Sequence, residues 1–348
     1  MIISRTPYRI SFFGGGTDYP GWYLKHGGAV LATAIDQYCY LTLRYLPPFF
    51  DHKYRIVYSK CELCNTIDKI EHPAVREALK LMNTDRGMEI HHDGDLPARS
   101  GVGSSSSFAV GLINALNALD GQFLSPDQLA KRAIFLEQDC LHENVGSQDQ
   151  VSAAYGGFNL IHFHQSGEFD VNPMTISQQR LDEFQNHVML FYTGVARYSS
   201  DVAASYALDI ATKEKQLFRY TEMITEATHI LKGSSCLSEF GELMDEAWRL
   251  KRSLSSAVSN NTIDLLYDVA INAGASGGKL VGAGGGGFLL LIAKPECHER
   301  VRKALGNLLE IPFNFDFRGS QVIYYDHLEK DKNQGIGKSK KELFEPRD

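Results

Sequence analysis

Pro97-Ala98-Arg99-Ser100-Gly101-Val102-Gly103-Ser104-Ser105-Ser106-Ser107 runs directly into an apolar-striped segment. From Ser104 to Leu119, Phe108, Leu112, Ala115, Leu116 and Leu119 recur with helical period and mark one buried face. A glycine–serine loop that opens a helix presents free backbone N–H groups at the positive end of the helix dipole, which makes an anion site. Serine hydroxyls add donors, or a ligand for a hard cation. An ordinary cap needs one such hydroxyl. Four consecutive serines with two glycines exceed that, and the stretch reads as a phosphate loop.

The next helix is announced by Ser125-Pro126-Asp127-Gln128, a capping box with Pro in the first turn, and should run to about Leu141. Glu137 lies beside its apolar face. Such a carboxylate is either at the edge of that face or buried with a partner, and magnesium held by phosphates would be a fitting one. Asp149, in Gly146-Ser147-Gln148-Asp149-Gln150, reads locally as a turn residue. Arg9 sits on a strand just before Gly14-Gly15-Gly16-Thr17-Asp18. Taken alone, Arg9 is an ordinary strand arginine and Asp18 an ordinary turn residue.

Glycine also clusters at Gly27–Gly28, Gly277–Gly278 and Gly282 with Gly284–Gly287, where backbone must approach something closely. Gly282–Gly287 matches G-x-G-x-x-G literally. A dinucleotide site needs a helix next, and Phe288–Ala293 is a buried strand instead. No Walker A loop occurs, since Lys279 precedes Leu280.

Ile2–Ile3, Tyr8–Phe13, Ala29–Ile35, Tyr38–Tyr45, Phe158–His164, His187–Tyr192, Phe288–Ala293 and Gln321–Tyr325 read as strands. Pro73–Met82, Ser200–Leu231, Ser238–Val258 and Thr262–Ala273 have helical character. The mixture lacks strict βαβ alternation and favours α+β. At 348 residues the chain suggests two lobes, with a boundary near Asn186: residues 1–185, then 186–327. In 328–348, 11 of 21 residues are charged, so this stretch reads as a loosely docked tail.

Net charge is −7, which disfavours a general nucleic-acid binder while leaving room for a local basic pocket. No apolar run approaches the roughly 18 residues of a membrane span, and Met1–Ile10 lacks a signal-peptide core. A cytoplasmic protein without membrane partners is expected. The sequence assigns no oligomeric state. The six cysteines form no disulfide framework. Cys61-Glu62-Leu63-Cys64 has zinc spacing but no second half-site, and reads as two ordinary thiols in a connecting segment. His91-His92 reads as a surface or strand pair.

Together these pieces resemble the GHMP kinase superfamily, small-molecule kinases that include galactokinase and mevalonate kinase. Thr6–Tyr19, Pro97–Ser107 and Lys279–Gly287 look like its three motifs, in order. Arg5–Asp18, Gly146–Gln150, Phe191–Arg197 and Gly319–Tyr325 are similar in wording to its heptose-phosphate branch. Galactokinases have Glu-His where this chain has Gly15-Gly16, which argues against galactose.

The resemblance implies a two-lobed α+β fold with the active site in the cleft between lobes. It implies ATP-dependent phosphorylation of the anomeric C1 hydroxyl of a heptose 7-phosphate, for GDP-heptose and surface-glycan synthesis. Pro97, Arg99, Ser100, Gly101, Val102, Gly103, Ser104, Ser105 and Ser106 would wrap the ATP phosphates. Ser105 and Glu137 would hold Mg2+. Asp149 would face the acceptor hydroxyl with Arg9 paired to it. Asp18, with Gly16 and Thr17, would bind the sugar, and Gly284 and Gly285 would close from the other lobe. The 7-phosphate needs its own cation, for which Arg197 and Lys279 are candidates.

Overall fold

The computed structural model describes residues 1–84, 86–195, 213–255, 257–282, 284–306 and 308–326. Arg197 and the charged 328–348 stretch lie outside them. The chain begins with β1 (Ile2–Phe13), α1 (Pro20–His26), β2 (Gly28–Tyr45), β3 (Tyr54–Val57), β4 (Cys61–Cys64), α2 (Pro73–Leu81) and β5 (Met88–Gly94). It continues through α3 (Ser104–Leu119), α4 (Pro126–Ile134), α5 (Gln148–Tyr155), β6 (Phe158–Phe163), β7 (Phe169–Pro173), α6 (Gln178–Gln185) and β8 (Val188–Tyr192). Then come α7 (Glu214–Lys232), α8 (Leu237–Leu254), α9 (Asn261–Asn272), β9 (Ala275–Leu280), β10 (Phe288–Ala293), α10 (His298–Leu305), β11 (Leu309–Glu310) and β12 (Gln321–Tyr325).

Two sheets result, and the fold is α+β. In the first, β1 pairs antiparallel with β2 from Ile2 against Leu43 to Phe13 against Leu31. Four short strands expected here are thus two long ones. The interruptions survive as register shifts, one of them between Pro7 and Tyr8, where a proline without an N–H is tolerated. The far edge of β2 is shared end to end, by β5 along Cys39–Tyr45 and by β6 along Gly28–Thr33. β12 returns from the far end of the chain to pair with β1, Ile2 against Tyr325, so this sheet is not built from residues 1–185 alone. The second sheet runs β11-β8-β10-β9, all antiparallel.

Cys61 and Cys64 lie in β4 rather than in a connection. Three apart on a strand, they point to opposite faces and cannot share a ligand. His91 Nε2 lies 2.8 Å from Glu89 Oε1, within β5.

α3 lies on β1, where Ser107 Oγ donates to Pro7 O at 2.9 Å and Ser4 Oγ donates to Gly111 O at 3.0 Å. This delivers the amino end of α3 to the middle of β1. α8 lies equally close on β9: a Cβ on Gly277 would sit 1.8 Å from Gly241 O. Phe12 and Phe13 of β1 meet Phe240 of α8 and Phe184 of α6 at ring-centroid distances of 5.1–5.7 Å, and Phe184 meets Phe240 at 4.7 Å. One apolar core therefore continues from the first sheet to the second. Among the described residues no helix is long and apolar enough to cross a membrane.

Candidate active site

A cleft of about 640 Å³ opens between the two sheets' layers. Its walls come from the end of β1, the loop before α3, the segment before α5, and residues of α7, α8 and β9.

The loop is shaped by left-handed backbone at Arg99, Gly101 and Gly103, with φ of 60°, 89° and 77°. Gly103 is the N-cap of α3, and no side chain caps the helix. The first-turn N–H groups therefore remain available to an anion. Arg99, Gly101, Gly103, Ser104, Ser105 and Ser106 line the cleft. Pro97, Ser100 and Val102 do not. Ser100 Oγ donates to Pro97 O at 2.6 Å, and Val102 O accepts from Arg9 N at 3.0 Å. These three hold the loop in shape from outside the cleft wall.

Arg9 and Asp149 form a fork. Nε donates to Oδ1 and Nη2 to Oδ2, both at 2.7 Å. Arg9 also donates to Gly101 O, which ties the pair to the loop. Its side chain is 5% exposed and that of Asp149 is 23% exposed, so the carboxylate keeps an open side toward the cleft. Asp149 is not a turn residue. It lies in the first turn of α5, where a negative charge is favoured by the helix dipole.

The helix opened by Ser125 forms both capping-box bonds and is α through Ile134. Phe135–Cys140 then widens into a π turn, with Leu141 N donating to Leu136 O at 3.0 Å. Such turns recur at functional sites. This one carries Glu137, which is 2% exposed. Glu137 Oε1 accepts from Ser105 Oγ at 3.0 Å, and Oε2 accepts from Ser106 Oγ at 2.7 Å and Gln150 Nε2 at 2.5 Å. Burial pushes its carboxyl up to about 7, with Glu143 adding to the rise and the three donors opposing it.

Asp18 lines the cleft and is buried. Its Oδ1 accepts from Gly16 N at 2.8 Å and its Oδ2 from Gln148 N at 3.4 Å. Burial pushes its carboxyl up, opposed by the Gly16 N–H and reinforced by the charge of Asp149. Gly16 also lines the cleft. Thr17 does not. Its hydroxyl lies 2.9 Å from Gly14 O and 2.8 Å from Ala29 O, sharing one proton between them, and accepts from Ala29 N at 3.1 Å, so it fastens the loop to β2.

The third motif presses on the second. A Cβ on Gly282 would sit 2.5 Å from Gly101 Cα, and one on Gly287 2.1 Å from Ser100 O. Gly284 and Gly285 turn instead onto Val258, whose carbonyl accepts from Gly285 N at 2.8 Å. Neither lines the cleft. Lys279 does line it, and its Nζ donates to Phe12 O at 2.8 Å.

Lys251 of α8 and Lys213 beside α7 also enter the cleft, though no sequence motif marks them. Lys251 Nζ donates to Gly282 O. Burial, then the charge of Arg9, pulls its ammonium down to about 8. Burial, then the charges of Lys251 and Arg9, lower Lys279 well below the ordinary lysine value.

An uncapped helix start, an anchored carboxylate and a set of cations in one cleft suit transfer of an anionic group to a hydroxyl. Residues 65–157 match the family described as GHMP kinases N terminal domain, and 229–310 match GHMP kinases C terminal. The chain belongs to the GHMP kinases. It is a small-molecule kinase, and ATP is the phosphoryl donor of its family.

The chain is similar to the D-glycero-alpha-D-manno-heptose 7-phosphate kinase of Campylobacter jejuni, at 29% identity over 87% of this chain and 93% of that one. It is 27% identical to the bifunctional fucokinase/GDP-fucose pyrophosphorylase of Arabidopsis thaliana over 83% of this chain, which spans only 29% of that longer protein. A crystal structure of a D-glycero-D-manno-heptose 1-phosphate kinase from "Bacteriodes thetaiotaomicron" shares the fold, with TM-score 0.76 and 23% identity over 94% of this chain and 100% of that one.

Proposed function

We propose that this chain is an ATP-dependent sugar kinase acting in the cytoplasm on the anomeric C1 hydroxyl of D-glycero-D-manno-heptose 7-phosphate. The product is the 1,7-bisphosphate, a precursor for GDP-heptose and surface glycans. The observation that carries the kinase chemistry is the Arg9–Asp149 fork set beside the uncapped start of α3. The Campylobacter relative, matched over nearly its whole length, supports the choice of sugar.

Phosphoryl transfer depends mainly on alignment and charge neutralisation. The N–H groups of the loop and the Ser104–Ser106 turn hold the phosphates of ATP. Asp149, oriented by two nitrogens, takes the proton of the C1 hydroxyl as that oxygen attacks the γ-phosphorus and the bond to the β–γ bridging oxygen breaks, releasing ADP. Arg9 fixes the carboxylate and sets positive charge beside the transferring group. Asp18 and Gly16 face the sugar's hydroxyls.

Magnesium fits the donor set. Glu137 is a buried carboxylate held by two hydroxyls and an amide, and burial raises its pKa, a penalty that a bound cation would offset. Among the described residues no three His, Cys, Asp or Glu side chains form a metal cage, so the cation would be shared with the nucleotide. Ser105 and Glu137 would hold it, and it would neutralise phosphate charge there.

The test is ATP consumption over a panel of sugars with and without a terminal phosphate. Heptose 7-phosphate should give the highest kcat/KM. Faster turnover of fucose, galactose or free heptose would replace it with that acceptor.

A further inference from the structure

We propose that Lys251 and Lys279 form an anion subsite for a phosphate carried by the acceptor, and that this pair selects sugar phosphates over free sugars. The inference deepens the kinase assignment above and rests on it.

The two lysines reach the cleft from different elements, α8 and β9. Each ammonium has three donors, and each is given one partner, a backbone carbonyl: Gly282 O for Lys251 and Phe12 O for Lys279. Among the described residues neither is ion-paired. The other charges nearby are already engaged. Arg9 has both its fork nitrogens on Asp149, and the Asp18 carboxylate accepts from two backbone N–H groups.

Burial and mutual repulsion with each other and Arg9 disfavour the charged forms of both lysines, and Asp18 offsets this only in part at Lys251, so the pair calls for a further countercharge. A phosphate dianion supplies one, with charge-assisted hydrogen bonds to the unused donors. The nucleotide has its own donors at the start of α3. Lys279 is anchored to β1 at Phe12, close in sequence to Gly16 and Asp18 on the wall assigned to the sugar. Lys213 at the rim donates to Leu254 O and adds charge to the same face.

The test compares the parent with Lys251→Met, Lys251→Arg and Lys279→Met, each checked for folding by thermal melting. Kinetics are measured with heptose 7-phosphate and with free heptose. Lys251→Met should raise KM for the 7-phosphate roughly 10–100-fold, the worth of hydrogen bonds to a charged group. It should erase the preference over free heptose by a similar factor, with KM for ATP within about twofold. Lys251→Arg should retain part of the preference. Lys279→Met serves as the second reading if Lys251→Met fails to fold.

A raised KM for ATP with an unchanged preference between the two sugars would overturn the proposal. If the parent turns over no sugar phosphate, the choice of substrate is wrong, and calorimetric titration with inorganic phosphate decides the subsite separately. Binding weakened at least tenfold by Lys251→Met supports it, and equal binding overturns it.

Discussion

Glu137→Gln separates two meanings of a buried carboxylate. In the ligand-free fold Glu137 titrates at about 7, against 4.5 for an exposed glutamate. The folded state therefore binds this proton more tightly than the unfolded state does. The stability contributed by this group is fully present below about pH 4.5, is lost as pH rises through about 7, and is absent above it. Holding this proton in the folded state is worth about 3 kcal/mol, at 1.36 kcal/mol per tenfold. Glutamine carries no charge to bury and should recover much of this at pH 8, but not at pH 5.

The recovery is limited by Gln150, whose Nε2 would face a new amide donor. Its Oε1 has no partner, so turning that amide over supplies an acceptor. A gain of about 1–3 kcal/mol remains, a rise of roughly 1–4 °C in melting temperature. Scanning calorimetry without nucleotide at both pH values measures it. Magnesium-titrated kinetics on the same protein should show a weakened metal response and a large loss of kcat. A variant that melts below the parent at pH 8, yet responds normally to magnesium, would make Glu137 merely a tie between α3 and the π turn.

Two further substitutions probe the walls of the cleft. Gly282→Ala places a methyl 2.5 Å from Gly101 Cα, at φ 79°, and should displace the phosphate loop. KM for ATP should rise at least about tenfold, since positioning by that loop is lost; an unchanged KM would show that the two motifs do not depend on each other. Thr17→Val removes a hydroxyl bonded to Gly14 O and Ala29 O and should cost about 1–3 kcal/mol in denaturant unfolding. A selective rise in sugar KM without loss of stability would return Thr17 to the substrate.

The parts of the site legible in the sequence were those whose chemistry is local. The glycine–serine loop and the capping box carry their own signals within a few residues, and both occur where those signals fall. Asp149 and Glu137 lack such signals. Their neighbours, Arg9 and Ser105, are 140 and 32 residues away in sequence and meet them where α5 packs on β1 and α3 on the π turn.

Lys251 was illegible for the same reason: on a helix between Leu250 and Arg252 it looks like any solvated lysine. Strand β9 was obscured by Gly277 and Gly278, which are poor strand formers, and Gly277 is required by the approach of Gly241. The return of β12 to β1 is a long-range pairing that alternation within Gln321–Tyr325 does not specify.

The most direct measurement is steady-state kinetics of Asp149→Asn with ATP binding measured separately. Asparagine keeps the size of the side chain but cannot take the acceptor's proton or balance Arg9 across two oxygens. Losing a positioned proton acceptor costs about 10²–10⁴-fold in rate, or roughly 3–5 kcal/mol of transition-state stabilisation. kcat should fall by that factor, with a smaller change in sugar KM and ATP bound almost as before. A kcat within about threefold of the parent, far short of that range, would remove Asp149 from the reaction and contradict the assignment of the cleft.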